Sequence, residues 1–185
     1  WISHTCMIVN RANRMLGLVK HTFRFRTLDI IKRLYVSLVR PHLDFAVAVW
    51  SPHLESNIRL VENVQRRATK LVPEIAKLDE QSRREKMGLT TLEQRRRRGD
   101  LIPQFKIAQE IDLVNWSFSP LYLDAANRTR GHQFRFIKLR TNCEARFNFF
   151  SNRVINDWNS LDTDIVNSIN TNAFKNKLDK RKIPS

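Results

Sequence analysis

The chemistry of this sequence lies in its cations. Lys and Arg number 33 against 18 Asp and Glu, a formal net charge of +15. Through His42 there are eight Lys or Arg and one acid, Asp29; from Ala125 to Asn156 there are seven and one, Glu144. Signs segregated along a chain in this way are the electrostatic profile of a polyanion binder. Three groups carry it. The first is Arg11, Arg14, Lys20, Arg24 and Arg26, with a solvated helix face as the plainer alternative. The second is the run Arg95, Arg96, Arg97 and Arg98. On a helix successive side chains point about 100° apart, so these four do not all meet one strand of nucleic acid. At least one is expected against the protein with its stem buried. Arg95 and Arg98 are candidates to act with Arg66, Arg67 and Lys70 if their helices pack together; such a run also reads as a nuclear-targeting signal. The third group is Arg128, Arg130, His132, Arg135, Lys138, Arg140 and Arg146, interleaved with Phe134, Phe136, Phe147 and Phe149. Guanidinium forks suit phosphates, and exposed rings suit unstacked bases. For Phe134 and Phe136 core packing competes with stacking.

Catalysis is not expected. Two-metal polymer chemistry needs clustered carboxylates, and no Asp-Asp pair occurs. Asp79–Glu80 reads as a helix start favoured by the helix dipole. His4, His21, His42, His53 and His132 stand in no catalytic string. Cys6 and Cys143 read as buried or incidental thiols of a reducing compartment. His4 and Cys6 form one local pair, with no second pair at zinc-finger spacing, so no cofactor or metal is expected in this chain. No apolar run approaches the roughly 20 residues of a membrane span and no secretory signal is present. The expectation is an intracellular protein of nucleus or cytoplasm with no membrane partner. Trp1 in first place suggests a fragment.

The elements that must position these groups are helices. Ile8, Ala12, Met15, Leu16 and Val19 recur at helical spacing and imply a first helix over about 3–20. Thr27 is expected to cap a second, with Leu28, Ile31, Leu34, Tyr35 and Leu38 on one face. Pro41 should stop or kink it near Val39 or Arg40, before a short apolar helix over 42–49. Ile58, Val61, Val64, Ala68 and Leu71 imply a third long helix over 56–72. A short helix over 79–86 should stop at Met87–Gly88. Thr90 and Glu93 read as a capping box opening a helix to about Gln109, with Leu92, Ile102, Phe105 and Ala108 inward. Pro103 should kink it near Ile102. Residues 133–139 alternate and suggest a short strand or hairpin arm. Phe150, Val154, Ile155 and Trp158 mark the inner face of a helix over 146–159, and Thr171 is expected to cap a last one bearing Phe174 and Leu178. The class is mainly α. A three-helix bundle at 1–73 is expected to precede a helical extension at 74–110, a linker at 111–127 and a basic helical region at 128–185, with at most a short hairpin.

Six motifs occur in order: RANRMLGLVKHTF at 11–23, LYVSLVRPHLDFAVAVWSPH at 34–53, IRLVENVQRRATKLV at 58–72, LTTLEQRRRRGDLI at 89–102, RTRGHQFRF at 128–136 and NFFSNRVINDWNSL at 148–161. Together they resemble the thumb and post-thumb region of non-LTR (LINE-type, jockey-like) retrotransposon reverse transcriptases. The resemblance spans nearly the whole chain. It implies a thumb-like bundle whose helices track the primer–template backbone, and hence phosphate contacts for the first basic group. The implied partners are RNA, RNA–DNA hybrid or DNA, together with the palm and fingers of the polymerase. The resemblance places Mg in a palm whose paired aspartates are missing here, so the chain belongs to an RNA-directed DNA polymerase by resemblance and should be inactive alone. The alternative is a freestanding helical protein-interaction module derived from such an element.

Overall fold

A computed structural model describes residues 2–115 and 131–181. It is mainly helical, with no strand among the described residues. The chain divides into two compact units, Trp1–Arg96 and Arg97–Ser185. The boundary falls inside one helix, in the middle of the four-arginine run.

The first unit is built on α1 (Ile2–Thr22), which packs against α5 (Glu55–Thr69) and against the helical stretch that starts at α2 (Leu28–Leu34). Val9, Ala12, Leu16 and Val19 of α1 meet Ile31, Tyr35, Val39 and Leu43, and Val61, Val64 and Ala68 of α5. Of the stop or kink expected near Val39 or Arg40, the stop does not occur, and the helix is instead locally widened just before Pro41. A π-helical turn, Tyr35–Val39, follows α2 directly and leads into α3 (Arg40–Asp44), which holds Pro41 in its first turn. The Arg40 N–H reaches back five residues to the Tyr35 carbonyl. A widened turn tolerates a proline that lacks an N–H and would crowd the carbonyl four residues back, so the helix absorbs Pro41.

The helix expected over 42–49 is instead broken at Phe45 and Ala46. Ala46 takes a left-handed φ of 52° and opens α4 (Val47–Trp50). That conformation costs a non-glycine residue roughly 1 kcal/mol. It is held by the Trp50 indole, which donates to the Phe45 carbonyl at 2.6 Å while its ring is buried with Ile8 and Val47.

Nor does the first unit end at Pro73. Val72, Ile75, Met87, Leu89 and Leu92 all belong to its core. The section 74–110 is therefore no separate extension: α6 (Glu80–Met87) and the start of α7 (Leu92–Ala108) complete the first unit. Asp79 caps α6, accepting from the Ser82 N–H; the Ser82 hydroxyl, and then this bond, hold its carboxyl below the usual range. Gly88 ends α6 in the left-handed conformation. Buried Gln65 ties the unit together, accepting from the Tyr35 hydroxyl and donating to the Thr90 carbonyl, both at 2.9 Å. Burial pushes the Tyr35 phenol strongly up.

The capping box at the head of α7 lies one residue beyond the expected one. The Gln94 N–H donates to Thr91 Oγ1, and the Thr91 N–H to Gln94 Oε1. Both Thr90-x-x-Glu93 and Thr91-x-x-Gln94 fit the pattern. Glu93 is displaced from the role because its own N–H is taken by Glu62 of α5 at 2.8 Å. Thr91→Ala is expected to cost about 1 kcal/mol, and Thr90→Ala much less. Urea denaturation of both variants checks the assignment.

The second unit takes the rest of α7, which runs through Pro103, then α8 (Glu144–Phe147), α9 (Phe150–Asn159), α10 (Thr163–Val166) and α11 (Thr171–Lys180). Leu101, Phe105, Phe136, Val154, Ile155, Trp158, Val166, Phe174 and Leu178 form its core. Phe105 and Phe174 stack at 4.3 Å. The segment expected as a strand or hairpin arm forms no strand: it turns at Gln133 and Phe134 and is otherwise irregular, and α9 side chains hold it. The Asn159 amide accepts from the Phe136 N–H at 3.0 Å and donates to the Phe136 carbonyl at 2.8 Å, while the Trp158 indole donates to the Phe134 carbonyl. At α11 the N-cap is Asn170, accepting from the Ala173 N–H, with Thr171 the first helical residue. Most of the expected linker lies outside the described residues.

Candidate nucleic-acid interface

Burial of Thr5, Ile8, Val9, Ala12, Leu16 and Val19 decides which side of α1 faces out. At 3.6 residues per turn that inner stripe leaves Met7, Arg11, Arg14 and Leu18 on the outer line, and Lys20 is exposed as well. No acid occurs before Asp29, so nothing on α1 neutralises these cations locally. Arg66, Arg67 and Lys70 are exposed at the end of α5, and Arg67 Nη1 donates to Asn13 Oδ1 of α1 at 3.1 Å. One hydrogen bond thus sets the α5 cations beside the middle of α1, next to Arg14 in the chain. The acids of α5 are engaged elsewhere: Glu55 pairs with Arg59 at 2.8 Å, and Glu62 accepts from α7. Burial pushes the Glu62 carboxyl up, against the opposing pull of the Glu93 and Leu92 N–H groups and the charge of Arg96. Among the described residues Arg11, Arg14, Lys20, Arg66 and Lys70 have no carboxylate partner.

The four-arginine run behaves differently, because each direction it points in ends on protein. Arg95 pairs with Asp44 at 2.8 Å, and Asp44 also draws Arg40 to 3.6 Å. Burial lowers the Arg40 pKa, and the like charge of Arg95 adds to it. Arg96 is buried. Arg97 forks onto both Asp157 oxygens at 2.8 and 2.7 Å, and Arg98 forks onto Asp179. Arg95 and Arg98, both candidates for nucleic acid, are thus committed to carboxylates, and each unit takes two of the four arginines. No sequence signal marked Asp44, Asp157 and Asp179 as their partners. They lie between 51 and 81 residues away.

The third group is largely dispersed. Arg128 and Arg130 lie outside the described residues. His132 is core, 1% exposed, with Nε2 at 3.0 Å from the Trp158 carbonyl and its ring edge-on to the indole. A side chain so enclosed reaches no phosphate, so His132 is not a nucleic-acid ligand. Arg135 is half-buried and folds over Gly131, whose φ of 101° requires glycine and where an added Cβ would lie 3.1 Å from Arg135 Cδ. Phe136 is buried and Phe134 packs against the same core, so for these two rings packing prevails over stacking. Lys138 lies over the Phe147 ring at 4.4 Å, and Arg140 and Arg146 remain exposed.

Cys6 and Cys143 are exposed free thiols. Among the described residues no group of three His, Cys, Asp or Glu is placed to hold a metal ion, and no helix is long and apolar enough to cross a membrane. Comparison with models of protein families, with curated proteins and with solved structures finds no match to this chain.

Proposed function

We propose that this chain is a non-catalytic nucleic-acid-binding part of a retrotransposon RNA-directed DNA polymerase. In this reading it grips primer–template duplex or element RNA through phosphate contacts. The observation that supports it is the partition of the cations. Where acids are near, arginines pair with them inside the protein; Arg11, Arg14, Lys20, Arg66 and Lys70 stay exposed without a carboxylate. Two helices carrying such cations side by side suit the regularly spaced charges of a duplex backbone. Lys138, Arg140 and Arg146 add a smaller basic surface on the second unit.

The test is binding of an RNA–DNA hybrid across a salt series, with Arg11, Arg14, Lys20, Arg66 and Lys70 changed together to Gln. Affinity is expected to fall, and the log–log salt slope to flatten by about 0.9 for each duplex phosphate that the variant no longer neutralises. Thermal stability should stay nearly unchanged, since exposed unpaired cations contribute little to folding. Unchanged affinity and slope would refute the reading.

A second reading, a protein-interaction module, draws on Leu38, Phe45, Val49 and Leu54, all exposed in the stretch from the π-helical turn to α5. Hydrophobic-surface capture of a protein by a chain that binds no nucleic acid at low salt would favour it.

A further inference from the structure

The five residues joining α1 to α2, Phe23 to Thr27, alternate ring and cation: Phe23, Arg24, Phe25, Arg26. Apolar rings at a loop should turn inward, yet Phe25 is 78% exposed and Phe23 is 36% exposed. Leaving a phenylalanine out of the core forgoes the favourable burial of its ring, so an exposed pair calls for a partner. The segment is not loosely attached. The Phe23 N–H closes the last turn of α1 on the Val19 carbonyl at 3.2 Å, and Arg26 Nε donates to the Phe23 carbonyl at 3.3 Å. The charge around the rings selects the kind of partner. Lys20, His21 and Arg24 are exposed there, and the nearest acid in sequence is Asp29, in the first turn of α2. A buried protein core would be a poor place for these cations, whereas a nucleotide offers a flat π face joined to a phosphate.

We propose that Phe23 and Phe25 form a stacking platform for unpaired bases of a single-stranded nucleic acid, with Lys20, Arg24 and Arg26 on its phosphates. The proposal rests on the nucleic-acid reading above and adds what the cations of α1 and α5 do not supply. Phosphate contacts along two helices do not distinguish paired from unpaired strands; rings do, because bases within a duplex are already stacked. The loop follows α1 directly, so a strand leaving the α1 surface meets the rings next.

The experiment uses the full chain and the double variant Phe23→Leu, Phe25→Leu, which keeps every charge and leaves the core untouched. Fluorescence anisotropy is read with a 12-nucleotide uridine strand, a hybrid duplex of equal length, and vesicles containing phosphatidylserine. Far-ultraviolet circular dichroism and melting, expected to match the parent, show that the fold is kept. The expected result is a loss of at least about 10-fold in single-strand affinity with duplex affinity unchanged, since each stacked base contributes several-fold to binding. Equal losses for strand and duplex, or no loss for the strand, would overturn the platform while leaving the phosphate reading intact. Loss of vesicle binding with strand binding preserved would also overturn it, and would make the rings a membrane contact. A parent chain that binds neither strand nor duplex refutes the underlying reading instead. The variant Arg24→Gln separates the two components: it should reduce the salt slope for the strand, whereas the ring variant should leave that slope as it is.

Discussion

Trp158→Ala is expected to destabilise the chain by about 3–5 kcal/mol. The indole is completely buried and touches the second unit on several sides. Its ring lies 5.5 Å from His132, 6.5 Å from Phe136 and 6.3 Å from Phe174. Its N–H donates to the Phe134 carbonyl, so truncation leaves both a large cavity and an orphaned acceptor. Because the segment before α8 is held to α9 through that bond and through Asn159, the loss should also release residues 133–136. Urea unfolding gives the magnitude, and faster amide exchange at Phe136 in the variant tests the release. A change below about 1 kcal/mol would mean that the ring is not the centre of this core.

The second large effect is expected at Asp100. Its carboxylate receives the Arg153 guanidinium on both oxygens at 2.8 Å, and the two side chains are only 8% and 17% exposed. Arg153 also donates to the Asn148 carbonyl, which joins α7 and α9 to the C-terminal end of α8. Breaking a buried pair from one side leaves the other charge desolvated, so Asp100→Ala should cost about 3 kcal/mol. The double change Asp100→Leu, Arg153→Met removes both charges and should recover a good part of that loss, because packing offsets the pair it replaces. A double variant as unstable as the single one would show that the hydrogen-bond geometry, rather than the stranded charge, carries the stability. Thermal melts of the parent and the variants decide between these outcomes.

The helical periodicities were legible in the sequence because they depend on local spacing alone. Val61, Val64 and Ala68, and Val154, Ile155 and Trp158, lie on the inner faces that their repeats imply, and Asp79 and Gly88 bound α6 as their residue types require. Boundaries were less legible wherever two local patterns were equally good. Thr90 and Thr91 both head a capping box, and Glu62, distant in sequence, decides between them by taking the Glu93 N–H. Pro41 reads as a helix stop or kink, and the π-helical turn before it carries the chain on.

Composition by itself determined that the chain is strongly basic, that its cations and acids are segregated, and that no clustered Asp-Asp pair is present to hold two metal ions. Tertiary structure alone decided which cations remain available. An arginine has no fixed role until its surroundings are known: Arg95 and Arg98 carry the same charge as Arg11 and Arg14, but folding brings Asp44 to the first and Asp179 to the second. His132 shares its segment with Lys138 and Arg140, yet the packing of Trp158 draws it inward. Local sequence determines which face of a helix is polar. Whether that face meets a carboxylate, a ring or solvent depends on residues brought near by folding, and spacing along the chain does not encode that distance.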